Sequence, residues 1–494
     1  MMMAYRNIEK AYAAQPEVAN ALIPDCVIAR VADSGYDDPM KISRLLVIAL
    51  FLFSAPSLRA GDDQQPCGGP IAVVMAPEGW EVKSPRDEIA VTGSFDEKSN
   101  AFRLESPDQE GMNGFWEKTF PIEGGKHYRF FSLRKATDVE HARRSCVVRI
   151  EWYNAKGGSV QSPHPVNPAY FGSATGTAKP DFPRDREVRN DGWTVVEDVF
   201  HAPVDAAKAV VQLHLRWAPG GAVDWKNVTL AEVAPPAPRK VKLAAVHFNL
   251  PGNGRSVAEN REAFAPLIAE AAKQGADLVV LPELLTCKGV THDYVSVAES
   301  VPGPTTDYFG TLAKAHDCYL VVGLPERDGH LVYNVAALIG PDGKVVGKYR
   351  KVTLPREEID RGIAPGHDYP VFETRFGKVG MMVCYDVFFP EVARQLAMNG
   401  AEVVALPIWG GNPRLAAARC AENGIYLVSS TYTNHESDWM KTAIWNREGD
   451  RISEANEWGS VVVEEVDLNE PTYWYGLGDF QSRIAREAPV REAE

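Results

Sequence analysis

From about residue 70 to 233 the chain runs in short apolar stretches rich in aromatic residues, separated by clusters of Gly, Pro, Asp and Asn, with little helical periodicity. Phe115 to Phe120, Tyr128 to Ser132, Val147 to Tyr153, Trp193 to Val199 and Ala209 to Trp217 are the clearest of them. Such runs bounded by turn-forming residues read as strands, and their succession predicts an antiparallel β-sandwich. Ala234-Pro235-Pro236-Ala237-Pro238-Arg239 follows as a semi-rigid spacer, and the character of the chain changes across it. A domain boundary is therefore expected at 234–239.

Beyond the spacer, strands alternate with helices. Val241 to Phe248 is a strand, and Ser256 with Glu259 makes a capping box that opens a helix. Phe264, Leu267, Ile268, Ala271 and Ala272 then follow the spacing of one buried helical face, with Pro266 marking a kink or a late start. Gly275 ends the helix, and Leu278-Val279-Val280-Leu281 is a buried strand leading into Pro282-Glu283. Tyr319 to Gly323 is a strand, and Asn334 to Ile339 with Lys344 to Lys348 forms a hairpin through Gly340-Pro341-Asp342-Gly343. Val379 to Val383, Glu402 to Leu406 and Ile425 to Ser430 read as strands, with helices over Pro390 to Asn399 and Arg414 to Asn423. Layered α and β with packed sheets is the expected product.

Length and composition fit two globular cores: 494 residues, 45% hydrophobic and 24% charged. A formal charge of -14 without a dense Lys/Arg run argues against a nucleic-acid partner. Met40 to Arg44 is a basic lead, Leu45 to Phe53 an apolar run, and Ala60 a small residue before polar Gly61-Asp62-Asp63. That order is a secretory signal peptide over 40–60, and the run falls well short of the ~20 residues that span a bilayer. The expectation is a secreted or periplasmic protein whose translation starts at Met40, with 1–39 not translated. Seven cysteines are too few for a disulfide scaffold. Whether Cys67 and Cys146 pair is left open.

Three polar residues stand where a pocket can form. Cys384 follows Gly380-Met381-Met382-Val383 and precedes Tyr385-Asp386, on a tight turn between strand and helix that presents the thiol beside backbone N–H groups. Taken alone, such a cysteine is more often a small buried hydrophobe. Glu283 ends its strand in an apolar setting, where desolvation raises a carboxyl toward a useful base. Lys351, in Tyr349-Arg350-Lys351-Val352, would by itself be a solvated surface lysine. His247, His367 and His435 lack ligand spacing, so no metal or other cofactor is expected.

Together, Leu281-Pro282-Glu283, Tyr349-Arg350-Lys351, Gly380 to Asp386, Phe389-Pro390-Glu391 and Gly400-Ala401-Glu402 resemble the nitrilase superfamily of carbon–nitrogen hydrolases over about 240–468. The resemblance implies a four-layer αββα sandwich followed by a C-terminal tail at 469–494. It also implies that Glu283 takes the thiol proton, Cys384 attacks the carbonyl carbon and Lys351 stabilises the oxyanion. A second glutamate between lysine and cysteine falls on Glu358, with Glu357 adjacent as the alternative. Tyr385-Asp386 after the nucleophile looks more like the amidase and carbamoyl-hydrolase branches than the nitrile-cleaving one. An amide or ureido substrate is thus expected, with Tyr385 and Trp409 lining its pocket, Arg414 a candidate carboxylate ligand and a homo-oligomer as the assembly.

The N-terminal half, ending in Val223 to Leu230, resembles jelly-roll modules classed as carbohydrate-binding. Trp80, Trp116, Trp152, Trp193, Trp217 and Trp225 are the candidates for a glycan-stacking platform, or else core. Two alternatives remain: an exported glycan-binding protein with an inactive hydrolase-like domain, and a nitrile hydrolase.

Overall fold

The computed structural model describes residues 77–164, 166–167, 176–290, 293, 295–474 and 476–489. The expectations for 1–39, for the leader at 40–60 and for Cys67 lie outside them.

The N-terminal half builds two antiparallel sheets. One has four strands in the order Glu81–Lys83, Asn113–Pro121, Lys208–Arg216, Val148–Tyr153. The other has six, in the order Thr92–Asp96, Ala101–Glu105, Ala222–Val233, His127–Thr137, Thr194–His201, Arg184–Val188. Trp116, Ile150 and Leu213 of the first sheet share a buried core with Leu104, Phe130 and Trp225 of the second. Alternation explains this: in Val148–Tyr153 the residues Val148, Ile150 and Trp152 are buried while the intervening ones are not. Of the six tryptophans, Trp80, Trp116, Trp152 and Trp225 are buried in this core, Trp193 is half-buried and Trp217 is exposed.

The C-terminal half contains two mixed six-stranded sheets of parallel design. The first runs Val345–Arg350, Leu331–Ile339, Tyr319–Asp328, Leu278–Val280, Lys240–His247, Ser460–Asp467. The second runs Val371–Glu373, Lys378–Met381, Val403–Ile408, Tyr426–Thr431, Ala443–Trp445, Arg451–Glu454. In each, three parallel strands carry antiparallel strands on both sides. The strand Lys240–His247 displays the layering. Its Val241, Leu243 and Ala245 join Val403, Ala405 and Leu427 of the second sheet in one core. Its Ala244 and Val246 face the other way, against Phe264 and Ile268 of the helix Val257–Lys273 and Phe309 of the helix Pro304–His316. On the far side Val392 and Leu396 of Pro390–Met398 and Ala416 and Cys420 of Pro413–Asn423 pack on the second sheet. Central strands covered on both faces read as continuous apolar runs, as Val403–Ile408 does.

The helix Val257–Lys273 begins at the capping box, with Ser256 Oγ accepting from the Glu259 N–H and the Glu259 carboxylate accepting from the Ser256 N–H. It runs unbroken through Pro266, which corrects the expected late start. Pro266 is exposed, so its missing N–H bond is lost on the side where water compensates.

Beyond 468 the chain returns to the N-terminal half at Tyr473–Trp474. Tyr473–Trp474 pairs in parallel with Val166–Asn167, and the Tyr473 hydroxyl donates to Asp181, which also accepts from the indole of Trp152. Burial lifts the Asp181 carboxyl to about 7, opposed by the Trp152 bond.

Candidate active site

The parallel strand Leu278–Val280 ends at Leu281-Pro282, and the chain turns through Leu284 in the left-handed region at φ 47°. A leucine held there costs of order 1–3 kcal/mol, a strain that surrounding structure must hold in place. The turn drops Glu283 into the interior at 2% exposure. Its Oε1 accepts from Asn334 Nδ2 at 2.8 Å and from Lys351 Nζ at 3.2 Å, and its Oε2 accepts from the Trp409 N–H at 2.8 Å. The Tyr432 hydroxyl donates to its main-chain oxygen at 3.0 Å.

Close approach of the neighbouring strand makes this possible. A Cβ on Gly323 would lie 2.7 Å from the Pro282 oxygen and 2.8 Å from the Glu283 Cα. Gly323→Ala should therefore cost about 1–3 kcal/mol by overpacking. It should also lower kcat/KM about 100-fold, because a misplacement on the order of 1 Å at a reacting group costs that much. Denaturant unfolding and steady-state kinetics check the pair of values.

Lys351 follows the edge strand Val345–Arg350 and is fixed by its backbone: its N–H donates to the Asn334 oxygen, and its oxygen accepts from the Gly366 N–H. Its ammonium, 1% exposed, donates to Glu358 Oε1 at 2.8 Å as well as to Glu283. Of the two adjacent glutamates, Glu358 is buried on the short helix Arg356–Ile359 and Glu357 is exposed. Asn334 Nδ2 bridges both carboxylates, bonding Glu358 Oε1 at 2.9 Å. Burial works against charge on Lys351, but Glu283, Cys384 and Glu358 outweigh it and hold its pKa above the ordinary lysine value. Burial raises the Glu358 carboxyl, with Lys351 opposing.

Cys384 starts a short 3-10 turn, Cys384–Phe388, directly after the strand Lys378–Met381, and sits in the left-handed region at φ 47°. Asp386, fully buried, holds that turn. Its carboxylate accepts from the Val383 N–H, the Thr353 N–H and hydroxyl, and the Tyr349 hydroxyl. The Cys384 Sγ lies 3.9 Å from the Gly410 oxygen. Burial pushes the thiol well above its usual pKa, the charge of Glu283 pushes it further, and Lys351 opposes. The resting sulfur is thus a thiol that needs a base, and Glu283 is in reach of it. Cys287, Cys318, Cys146 and Cys420 are raised by burial too, but none of them has Lys351 as a neighbour.

Glu283, Lys351 and Glu358 are therefore joined by direct hydrogen bonds, with Cys384 coupled to the first two. Trp409 enters through its N–H, while its ring packs on Tyr432 at 4.8 Å. The Tyr385 ring packs on Phe388 and Phe389. Arg414 is exposed in the first turn of Pro413–Asn423. Asn334, Asp386 and Tyr432 are further residues of the site that pattern reading missed. The signal for Asn334 was a polar residue inside the apolar run Val332-Tyr333-Asn334-Val335, since buried polar groups are kept where they are bonded.

A cleft of about 1350 Å³ elsewhere, lined by Arg184, Arg186, Arg239, Lys378 and Glu402 among others, contains none of these residues. Most of its cations are engaged, as in Arg184 with Asp198 and Arg239 with Glu402. Convergent buried titratable groups around a thiol are the stronger mark of chemistry.

The carbon–nitrogen hydrolase family matches residues 242–474. A nitrilase of Pyrococcus abyssi is 38% identical over 46% of this chain and 90% of its own, and omega-amidase NIT2 of Danio rerio 31% over 46% and 89%. The crystal structure of Saccharomyces cerevisiae Nit3, from branch 10 of the nitrilase superfamily, is 26% identical over 46% of this chain and 90% of that one, with a TM-score of 0.41. With a relative of that identity matched over nine-tenths of its length, and the family's span enclosing Glu283, Lys351, Glu358 and Cys384, the chain belongs to the carbon–nitrogen hydrolases.

Proposed function

We propose that this chain hydrolyses the C–N bond of an amide or ureido substrate through a thioester on Cys384. The observation that carries the reading is the buried set of Glu283, Lys351 and Glu358, hydrogen-bonded to one another beside the thiol. Glu283 accepts the S–H proton as Sγ attacks the carbonyl carbon, and the C=O electron pair moves onto oxygen. Lys351 stabilises that oxyanion. Collapse breaks the C–N bond, and the leaving nitrogen takes the proton from Glu283. Water then gives a proton to Glu283 and adds to the thioester. Collapse of this second intermediate releases the acid, and the proton returns to sulfur. Glu358 and Asn334 are positioning residues that hold the ammonium and the base.

Cys384-Tyr385-Asp386 and the relatives named as amidases support amides over nitriles; the Pyrococcus abyssi nitrilase is the observation favouring a nitrile as second reading. The layered packing supports an αββα sandwich behind a jelly-roll-like module. Export rests on the order of parts at 41–60 alone. Ammonia release by the purified protein across primary amides, ureido acids and nitriles tests the reading: release from amides or ureido acids is expected. Release from nitriles alone, or from none while the thiol is reduced, would sink it.

A further inference from the structure

Of the six tryptophans in the N-terminal half, the fold leaves one open to a ligand. Trp80, Trp116, Trp152 and Trp225 fill the sandwich core, and the half-buried ring of Trp193 is covered by Lys226, whose Nζ lies 3.9 Å from its centroid. Trp217 is 47% exposed and sits in the left-handed region at φ 55°. A bulky residue is an outlier there, and such strain persists only where the surrounding structure holds it. Here the Trp217 N–H, directly after the strand Lys208–Arg216, donates to the Met112 oxygen at 2.8 Å.

A cavity of about 430 Å³ opens beside the ring, with Arg144, His141, Asp138 and Glu140 in its wall. Two half-buried guanidiniums lie over the indole, Arg216 at 4.4 Å and Arg144 at 5.2 Å from a ring centroid. Arg216 is fixed by its Nε, which donates to the Arg144 main-chain oxygen at 3.0 Å. Neither guanidinium forms an ion pair with another described residue. Burial draws the Arg216 pKa down to about 10, and Arg486, Arg144 and Arg149 push the same way against Glu487. Glu487 is held by Arg483 and Arg486, and Glu151 by Arg149, so neither carboxylate is spare.

The lining decides the class of ligand. A plain oxyanion suits the arginine pair but is opposed by Asp138 and Glu140, both exposed in the same cavity. A neutral sugar suits the ring and the two carboxylates, which accept from hydroxyls, but leaves two partly desolvated guanidiniums without an anion. A pyranose that carries a carboxylate answers all three: C–H face on the indole, carboxylate on the arginine forks, hydroxyls on Asp138 and Glu140. Glu140, His141 and Arg144 also line the cleft of about 1350 Å³ described above, so a longer chain has room to continue.

We propose that the Trp217 cavity binds a uronate residue of an acidic polysaccharide, with Arg144 and Arg216 taking its carboxylate. The site is separate from the Cys384 cluster and stands whatever that cluster hydrolyses.

The test is calorimetric titration of the native full chain with hexamers of galacturonate, mannuronate and guluronate, each against its methyl ester, which keeps the ring and removes the charge. At least one acid hexamer should bind, and its ester about tenfold or more weakly, as expected for a lost charge-assisted contact. Trp217→Ala should abolish that binding, and Arg144→Met should weaken it about tenfold. Inorganic sulfate and phosphate should bind far more weakly than the hexamer. If no acid hexamer binds, if the ester matches its acid, or if sulfate or phosphate matches the hexamer, the proposal is overturned. It is overturned equally if either variant, melting within a few degrees of the native protein, binds as the native chain does. The two side chains lie on different segments, so either folded variant alone decides the point.

Discussion

Replacing Cys384 by alanine should lower amide turnover by at least about a thousandfold, because removing the proposed nucleophile leaves only binding and the electrostatics of the pocket. The fold should survive. The Cys384 sulfur makes a weak contact with the Gly410 oxygen at 3.9 Å and also meets Glu283 and the Trp409 N–H, which bond each other, so its loss strands no strong donor. The turn itself is held by Asp386, whose four hydrogen bonds reach Val383, Thr353 and Tyr349 and do not involve the sulfur. Alanine at φ 47° is no easier to hold than cysteine, so a melting temperature within a few degrees of the native one is expected. Ammonia release and thermal unfolding on the same preparation check both halves. A stable variant that retains turnover would remove the thiol from the mechanism.

Lys351→Met should be inactive for one reason and unstable for another. Loss of an oxyanion donor costs about 100- to 1000-fold in kcat. The ammonium also holds two buried carboxylates together, Glu283 at 3.2 Å and Glu358 at 2.8 Å. Removing one partner of a buried ionic set costs about 3–5 kcal/mol, reduced to the extent that the survivors can take up a proton. Here they can. Glu283 and Glu358 both reach Asn334 Nδ2, so without the lysine two like charges stand side by side and one will protonate.

The pH dependence follows from the direction. In the native fold Glu358 is already raised above 4.5 by burial, with Lys351 opposing, and the substitution removes that opposition. A carboxyl whose folded pKa lies above its unfolded value is most favourable to folding below the unfolded value, and that advantage is lost as pH rises through the folded one. The variant should therefore regain melting temperature between pH 7 and pH 5, relative to the native protein. A variant with the same pH profile as the native protein would mean that the carboxylates do not depend on Lys351.

Much of this site could be read from the chain because its chemistry sits at ends of apolar runs. Glu283 and Cys384 each follow a strand of the parallel core, where side chains at the strand end enter a shared crevice. Lys351 was legible only through the family pattern: its local surroundings are those of a surface lysine, and burial comes from contacts with residues 68 and 7 positions away. Asn334 was missed for the same reason, since its bridge to Glu283 spans 51 positions and depends on which strands pair. Trp409 contributes its backbone N–H, which no side-chain reasoning detects. The choice between Glu357 and Glu358 needed helix phase, because one turn of helix decides which of two neighbours faces Lys351. The return of Tyr473–Trp474 to the N-terminal half had no local signal at all, being a pairing with a two-residue strand far away in the chain.

The most direct test of the thioester is to mix the native enzyme with a turned-over amide, quench in acid within the first turnover, and weigh the peptide that contains Cys384. This peptide should gain the mass of the acyl group and lose it in neutral hydroxylamine. An acyl group found on any other residue, or a first turnover completed with Cys384 never modified, would contradict it.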